Sequence, residues 1–147
     1  MRSFPAGVAV VTVDVEGQRL GLTVGSLVSL SLEPPLVGFA VSRQAALHEL
    51  LRAAGRCAIS LLAAEQEALA AHFARGVPPI ALWQGIVTRP DRNGPPLLEG
   101  ALGWLECRTR AEHDTGDHSF FVCEVLSVER GPGRIGLAFF EQRYASS

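Results

Sequence analysis

The chain contains no lysine: its 13 permanently basic residues are all arginine, set against 15 aspartates and glutamates. This absence excludes chemistry that requires a primary amine side chain, such as Schiff-base formation, a pyridoxal-phosphate anchor or the lysine of a P-loop. The net charge is −2 and no basic run occurs. A nucleic-acid partner is therefore not expected, because nothing in the sequence would neutralise a row of phosphates.

Long apolar runs and cysteines are also scarce. No apolar stretch approaches the roughly 18 residues of a membrane span, and residues 1–5 are not followed by the apolar segment of a signal peptide. We therefore expect no membrane association. Cys57, Cys107 and Cys123 lack C-x-x-C spacing, so we expect buried, reduced thiols in a cytoplasmic protein.

Charged residues make up 19% of the chain and hydrophobic residues 48%, whereas a typical domain has about 25% charged residues. The length of 147 residues suits a single domain spanning 1–147. A lone domain of this size does not need so much apolar surface. The composition therefore predicts either a homodimer or a sizeable organic ligand that covers the excess.

The hydrophobic pattern predicts a mainly β fold. Ser42 is expected to cap the first helix and Gly55 to end it. Many strands with few helices indicate a barrel rather than an alternating α/β sheet. The predicted strands are 7–14, 19–24, 36–41, 57–62, 103–111, 119–128 and 136–140, the predicted helices are 43–54 and 63–73, and 76–97 is expected to be irregular.

The segment 21–37 has an unusual density of small and hydroxyl-bearing residues. Gly21 and Gly25 would let a flat ligand approach the backbone. The alternative is a serine-rich turn whose hydroxyls bond to local backbone. The hydroxyls that could serve a polar heterocycle are those of Thr23, Ser26, Ser29 and Ser31.

Ser42 and Arg43 form a second candidate site. The start of a helix favours anions, and the guanidinium fork of an arginine suits phosphate. These residues therefore indicate a monophosphate site, with an ordinary capped helix and a solvated arginine as the alternative.

The segment 113–118 reads His-Asp-Thr-Gly-Asp-His. Three interpretations remain open: a metal site, a polar turn before a strand, and a ligand-facing histidine on that turn. The sequence also lacks a G-x-S-x-G nucleophile motif and a G-x-G-x-x-G dinucleotide fingerprint. Nucleophilic catalysis and a Rossmann site are therefore not expected.

Several blocks together resemble the flavin reductase-like domain family, the FMN-binding split barrel found in reductase components of two-component flavin monooxygenases. The family signature Gly-Asp-His corresponds to Gly116, Asp117 and His118. The resemblance covers nearly the whole chain. The matching blocks are 4–12, 21–37, 58–62 with Gln66 and 72–74, 96–107, 116–125 and 139–144.

This resemblance implies a mainly β, FMN-binding split β-barrel, Greek-key-like, with two short peripheral helices, in a homodimer. It implies an NAD(P)H-dependent flavin reductase that supplies reduced FMN or FAD to a partner monooxygenase by hydride transfer from NADH or NADPH. Two other readings stay open: a flavoprotein that retains its flavin and acts on a small organic substrate, and a flavin-binding module without turnover.

The resemblance also implies residue roles. His118 would lie where the nicotinamide stacks on the flavin and is the expected catalytic residue, and no metal is expected. Gly25, Leu27 and Cys123 stand where the family commonly has asparagine or serine, phenylalanine and glycine. The expected flavin-contacting residues are Thr23, Val24, Gly25, Ser26, Ser29, Leu30, Ser31, Leu32 and Phe73, with Ser42, Arg43 and Gln44 at the phosphate.

Overall fold

A computed structural model of the chain describes residues 6–90, 93–140 and 143–146, with backbone only at 139, 140, 143, 145 and 146. Residues 4 and 5 of the first matching block lie outside the described residues. The described strands are β1 (Ala6–Gly7), β2 (Ala9–Val15), β3 (Gln18–Val24), β4 (Val28–Leu32), β5 (Pro35–Ser42), β6 (Arg56–Leu61), β7 (Gly103–Asp114), β8 (His118–Arg130), β9 (Leu137–Phe140) and β10 (Arg143–Ser146). The helices are α1 (Ala46–Ala54), α2 (Glu67–Ala74) and α3 (Pro79–Leu82), and a 3₁₀ turn (Ala64–Gln66) precedes α2.

Seven strands form one antiparallel sheet in the order β3-β2-β6-β7-β8-β5-β4, and β1, β9 and β10 form a smaller sheet. The large sheet curls until β3 approaches β5. The mainly β, antiparallel barrel expected from the sequence is therefore confirmed. The gap between β3 and β5 is the split in this barrel.

Strand β2 explains the valine-rich start of the chain. Val10, Val11 and Val13 are fully buried, because β2 lies inside the sheet between β3 and β6 while α1 packs against it. A strand covered on both faces needs no polar alternation. The strand predicted at 7–14 is thus present as β2, and it is buried over most of its length.

The start of α1 differs from the prediction. Ser42 ends β5, where it pairs with His118, and its hydroxyl accepts a hydrogen bond from the Gln44 N–H at 3.2 Å. The chain then turns, and Ala45 rather than Ser42 is the N-cap. The prediction of Ser42 as helix cap was wrong because the β5–β8 ladder holds it as a strand residue. Gly55 ends α1 with φ of 67°, as predicted.

The second half of the chain contains one unpredicted element. The short helix α3 lies inside the stretch expected to be irregular, and Pro79 occupies its first turn, where a missing N–H costs nothing. Within the described ranges, no helix has the length and apolar character needed to cross a membrane.

The three cysteines are free and buried, as predicted. Cys57 and Cys107 face each other on β6 and β7. Hydrogen bonds from Cys107 and Cys123, together with burial, raise the pKa of the Cys57 thiol well above its ordinary value. Cys57 is therefore a neutral packing residue rather than a nucleophile.

Candidate functional site

The split between β3 and β5 opens into a surface groove of about 350 Å³, called here the β3–β5 groove. Most of its lining side chains are small, so a flat ligand would lie close to the backbone. The lining residues are Leu22, Thr23, Val24, Gly25, Ser26, Ala40, Ser42, Ala45 and His118.

Ser26 joins the two sides of the groove. Its hydroxyl accepts a hydrogen bond from the Ala40 N–H at 2.8 Å and lies 3.4 Å from the Ala40 carbonyl oxygen. Thr23 donates its hydroxyl to the Ala70 carbonyl of α2 at 2.6 Å. Both hydroxyls thus bond to backbone of other elements and hold the groove in shape.

Backbone groups of β3 are better placed to meet a polar heterocycle. Within the part of the chain that the structure describes, β3 pairs in the large sheet with β2 alone. Alternate N–H and C=O groups of such an edge strand point away from its partner. The edge of β3 therefore supplies donors and acceptors along one wall of the groove.

The two glycines of segment 21–37 that were singled out in the sequence, Gly21 and Gly25, have different roles. A Cβ at Gly21 would lie 2.9 Å from the Phe73 ring, so Gly21 is required for the packing of this ring, and it does not line the β3–β5 groove. A Cβ at Gly25 would meet only the Ala6 Cβ, at 3.7 Å. Gly25 is exposed and leaves the groove open.

His118 stands at the first position of β8, on a polar turn. Its Nδ1 lies 2.8 Å from the Asp117 carboxylate, and because a carboxylate only accepts, Nδ1 carries the hydrogen. Nε2 is then the ring nitrogen available to a ligand in the groove. The bond from His118 holds the pKa of Asp117 below its ordinary value.

Hydrogen bonds within this turn account for the polar residues around His118. Asp114 accepts a hydrogen bond from the Gly116 N–H at 3.1 Å, and Thr115 donates its hydroxyl to the His118 carbonyl at 2.9 Å. Gly116 has φ of +87°, a conformation that glycine adopts without strain. Segment 113–118 is thus a polar turn that carries a groove-facing histidine. Across the described residues, no group of three or more His, Cys, Asp or Glu side chains is placed to hold a metal ion.

The three residues expected at the phosphate separate in the structure. Ser42 lines the groove. The Arg43 side chain is exposed and forms an ion pair with the Asp114 carboxylate. The backbone N–H of Arg43 donates a hydrogen bond to the Asp117 carbonyl at 3.0 Å. Gln44 faces a second cavity on the other side of Ala45.

This second cavity, of about 320 Å³, is called here the α1–α3 pocket. Phe73 forms part of its floor but is only 1% exposed, with its ring 5.3 Å from that of Trp83. The structure therefore does not bring Phe73 into the groove. The pocket is lined by Leu20, Gly21, Leu22, Gln44, Ala45, Ala46, Leu47, Phe73, Gly76, Val77, Pro78, Pro79 and Leu82.

The last four expected flavin contacts lie on β4 and do not line the groove of their own chain. Strand β4 is an outer strand of the large sheet, and its apolar side chains are largely exposed. The four residues are Ser29, Leu30, Ser31 and Leu32.

Sequence reasoning missed Leu22, Ala40 and Ala45 in the groove. Alanine and leucine carry no chemical signal, so only the pairing of strands identifies them. Ala40 is a groove residue because it lies two positions before Ser42 on β5, and alternate residues of a strand share a face.

A polar cluster with a buried centre, formed by His48 and Ser119, lies beside His118 and was also missed. His48 of α1 is nearly inaccessible, and its Nε2 lies 2.7 Å from the Ser119 hydroxyl. Arg52 donates to Glu112 at 2.6 and 2.8 Å, which lowers the pKa of the Glu112 carboxyl. The cluster ties α1 to the start of β8 and so fixes the position of His118.

Comparison with known proteins agrees with this architecture. The family model described as flavin reductase like domain matches residues 1–147. An NADH-dependent FAD reductase of Streptomyces globisporus is 39% identical over 144 residues, covering 96% of this chain and 79% of that protein. The reductase component of 4-hydroxyphenylacetate 3-monooxygenase of Thermus thermophilus is 40% identical over 141 residues, covering 96% and 88%.

A solved structure is similar over the same extent. The NADH:FAD oxidoreductase of Streptomyces globisporus, in complex with NAD and FAD fragments, superposes with a TM-score of 0.90 at 37% identity. The match covers 97% of this chain and 86% of that one. The chain therefore belongs to the flavin reductase-like domain family. It is an oxidoreductase of the flavin reductase class.

Proposed function

We propose that the β3–β5 groove binds the ring system of FMN or FAD, and that the chain reduces it with NADH or NADPH and releases it to a partner monooxygenase. One observation carries this assignment. The groove gathers residues 23–26, Ser42 and His118 from three separate parts of the sequence, and all of these are among the residues that the family resemblance had marked.

The lining of the groove fits a flavin. Small residues and an open glycine leave room for a flat ring, and the edge of β3 offers hydrogen-bonding groups along one wall. When bound, a flavin supplies a two-electron acceptor for hydride. Such a transfer needs proximity and orientation above all.

His118 would orient the nicotinamide. Its ring is held by the Asp117 carboxylate at Nδ1 and by the backbone of the turn, so that Nε2 is fixed at one end of the groove. We assign Arg43 to the flavin phosphate. Its present partner, Asp114, is itself 75% exposed. Breaking an exposed ion pair costs little, so Arg43 can leave Asp114 and bind a phosphate instead.

The groove also suits a flavin that leaves after reduction. Gly25 and Ser26 are exposed, and the His118 side chain is 45% exposed. Nothing among the described residues closes over them. This openness favours release to a partner over permanent retention of the flavin.

We propose a homodimer formed through the outer face of β5 and β8. Phe121 and Cys123 point into the barrel, so Phe120 and Val122 point outward. Leu126 on β8 and Leu30 on β4 are more than 40% exposed. Sedimentation should show a dimer that Leu126→Glu converts to monomer, whereas Val87→Glu, which changes an exposed residue elsewhere, leaves it intact. A monomeric wild type would contradict the dimer.

The groove lies on this same outer face. Ala40 pairs with Phe120, and Ser42 with His118, across β5 and β8. A second copy docked here would therefore border the groove. We further place the enzyme in the cytoplasm, where its unpaired thiols stay reduced.

Anaerobic mixing of the protein with FMN and NADH tests the function directly. We expect rapid loss of the absorbance of oxidised flavin, followed by recovery of reduced flavin in the filtrate of a membrane that retains the protein. Flavin that binds but is reduced by neither NADH nor NADPH would contradict the reductase. Reduced flavin that stays with the protein would contradict its release to a partner.

A further inference from the structure

His48 of α1 is a buried polar residue that does not line the β3–β5 groove. Its side chain is enclosed by the barrel, and its ring meets that of Phe121 edge-on, with the ring centroids 5.6 Å apart. Burial of a polar ring beside a phenylalanine costs free energy unless hydrogen bonds replace the lost water. The hydrogen bonds of His48 therefore determine what this residue does.

Both ring nitrogens of His48 have partners. Nδ1 lies 3.2 Å from the Glu49 carboxylate, and because a carboxylate only accepts, Nδ1 carries a hydrogen. Nε2 lies 2.7 Å from the hydroxyl of Ser119, which is itself fully buried. This second bond joins residues 71 positions apart in the sequence. Its loss would leave a buried polar atom without a partner, which is costly.

His48 connects two parts of the chain that line the groove. Its backbone N–H donates to the Ala45 carbonyl at 3.0 Å, and Ala45 is a groove residue. Ser119 directly follows His118, the first residue of β8. Successive residues of a strand point to opposite faces. Ser119 therefore anchors β8 from inside the barrel, while His118 points from the same strand into the groove.

The other restraints on His118 are of a different kind. Pairing with β5 and β7 holds the start of β8 within the sheet. The Asp117 carboxylate that bonds to Nδ1 of His118 is 94% exposed, so water competes for this bond. The buried bond between His48 and Ser119 is what holds this end of β8 against α1.

We propose that His48 is a positioning residue that acts on hydride transfer through Ser119 and His118. The proposal rests on the function assigned to the groove, in which His118 orients the nicotinamide. Transfer depends steeply on the placement of the reacting groups, and a misplacement of about 1 Å can cost roughly a hundredfold in rate. Release of β8 from α1 therefore slows the transfer. Flavin affinity, assigned above to β3 and Arg43, stays the same.

Two substitutions of His48 separate the hydrogen bond from the packing. His48→Leu keeps an apolar side chain in the core but removes the bond, whereas His48→Gln keeps a hydrogen-bonding group at similar reach. In anaerobic stopped-flow mixing with FMN and NADH, we expect His48→Leu and Ser119→Ala each to slow transfer by about tenfold or more. His48→Gln should recover most of the rate. The FMN affinity of all three should stay within about twofold of wild type.

Thr12→Val is the matched control. Thr12 is also fully buried, and its hydroxyl donates to the Pro96 carbonyl at 2.7 Å, away from the groove. Loss of this bond should lower the urea midpoint of unfolding, as loss of the His48 bond does. The rate of transfer in Thr12→Val should equal that of wild type.

A double-mutant cycle tests whether His48 acts through His118. We expect His48→Leu to slow transfer in the wild-type background and to cause no further slowing in His118→Ala. Its effect on the urea midpoint should be the same in both backgrounds, because stability does not depend on the nicotinamide. A residue that acts only by holding the fold together would slow transfer by the same factor in both.

A second readout needs no flavin. ¹⁵N NMR reports which ring nitrogen of His118 carries the hydrogen, and His118→Ala assigns its signal. Wild type should show the Nδ1–H form that the Asp117 bond selects. We expect His48→Leu to shift this signal toward the average of the two tautomers, and Thr12→Val to leave it in place.

Three results would overturn the positioning role of His48. They are an unchanged transfer rate in His48→Leu, equal slowing in the wild-type and His118→Ala backgrounds, and an unchanged His118 signal in His48→Leu. Failure of the wild type to reduce FMN with NADH or NADPH would instead count against the proposed function. The NMR signal would then still test the link between His48 and His118.

Discussion

The hydroxyl of Ser26 accepts a hydrogen bond from the backbone N–H of Ala40 at 2.8 Å. This bond links the turn after β3 to β5 at the point where β4 no longer pairs with β5, since the β4–β5 ladder ends at Val28 and Gly38. One serine side chain thus takes the place of a missing strand pair. The groove lies beside this bond.

Ser26→Ala should loosen the groove. We expect the free energy of unfolding to fall by about 0.5–1 kcal/mol, the usual net contribution of a partly exposed hydrogen bond, and flavin affinity to fall several-fold. Urea unfolding and flavin titration measure the two effects. Ser127→Ala removes an exposed hydroxyl outside the groove, bonded to Glu106 at 3.2 Å, and should leave flavin affinity unchanged. An equal loss of flavin affinity in the two variants would contradict this account.

Arg43→Ala should weaken FMN binding by about tenfold, or 1.4 kcal/mol, and riboflavin binding by less than about twofold, because only FMN carries the phosphate. Asp114→Asn frees Arg43 from its ion pair. It should tighten FMN binding by at most about fivefold, since exposed pairs contribute roughly 0–1 kcal/mol. An equal loss of FMN and riboflavin binding in Arg43→Ala would remove Arg43 from the phosphate site.

His118→Ala should slow single-turnover hydride transfer by about tenfold or more through loss of orientation, with flavin affinity nearly unchanged. His118→Gln keeps a hydrogen-bonding group at similar reach and should recover part of the rate. Stopped-flow absorbance under anaerobic conditions follows the transfer. An unchanged rate in His118→Ala would assign His118 to the turn alone.

Glu112 should make stability depend on pH. The Arg52 guanidinium lowers the pKa of this carboxyl in the folded state. The ion pair therefore contributes stability above the ordinary carboxyl pKa, and this contribution is lost as the pH falls through the lowered value. Glu112→Gln should be less stable than wild type at pH 7, by less than about 1 kcal/mol, and the difference should vanish in acid.

Urea unfolding at several pH values measures this difference. Glu65→Gln, at an exposed position in the 3₁₀ turn, is the control and should show no such trend. A difference between Glu112→Gln and wild type that grows in acid would contradict the sign of the effect.

Much of the fold could be predicted from hydrophobic pattern. The valines of β2 and the glycine that ends α1 are local signals, and both were interpreted correctly. The start of α1 was not, because Ser42 carries the chemistry of a helix cap but is held in the β5–β8 ladder by His118. Such pairing joins residues far apart in sequence, and no local pattern reports it.

The candidate site likewise contains some residues that the sequence could identify and others that only the structure identifies. Gly25, Ser26 and His118 were identifiable from residue type together with family resemblance, and the structure places them around one groove. Ala40 was not identifiable, since its place follows from strand register alone. Phe73 has a ring suited to stacking on a ligand, yet that ring packs against Gly21 within the core.

Gly25 offers the most direct test of the claim that the β3–β5 groove is where flavin is reduced. A Cβ there meets nothing closer than 3.7 Å, so Gly25→Leu should fold normally and fill the groove. Gly7→Leu, at another exposed glycine whose Cβ would meet nothing within 4 Å, is the control. Anaerobic mixing with FMN and NADH should show flavin reduction by wild type and Gly7→Leu, and its loss in Gly25→Leu. Reduction by Gly25→Leu at the wild-type rate would contradict the account.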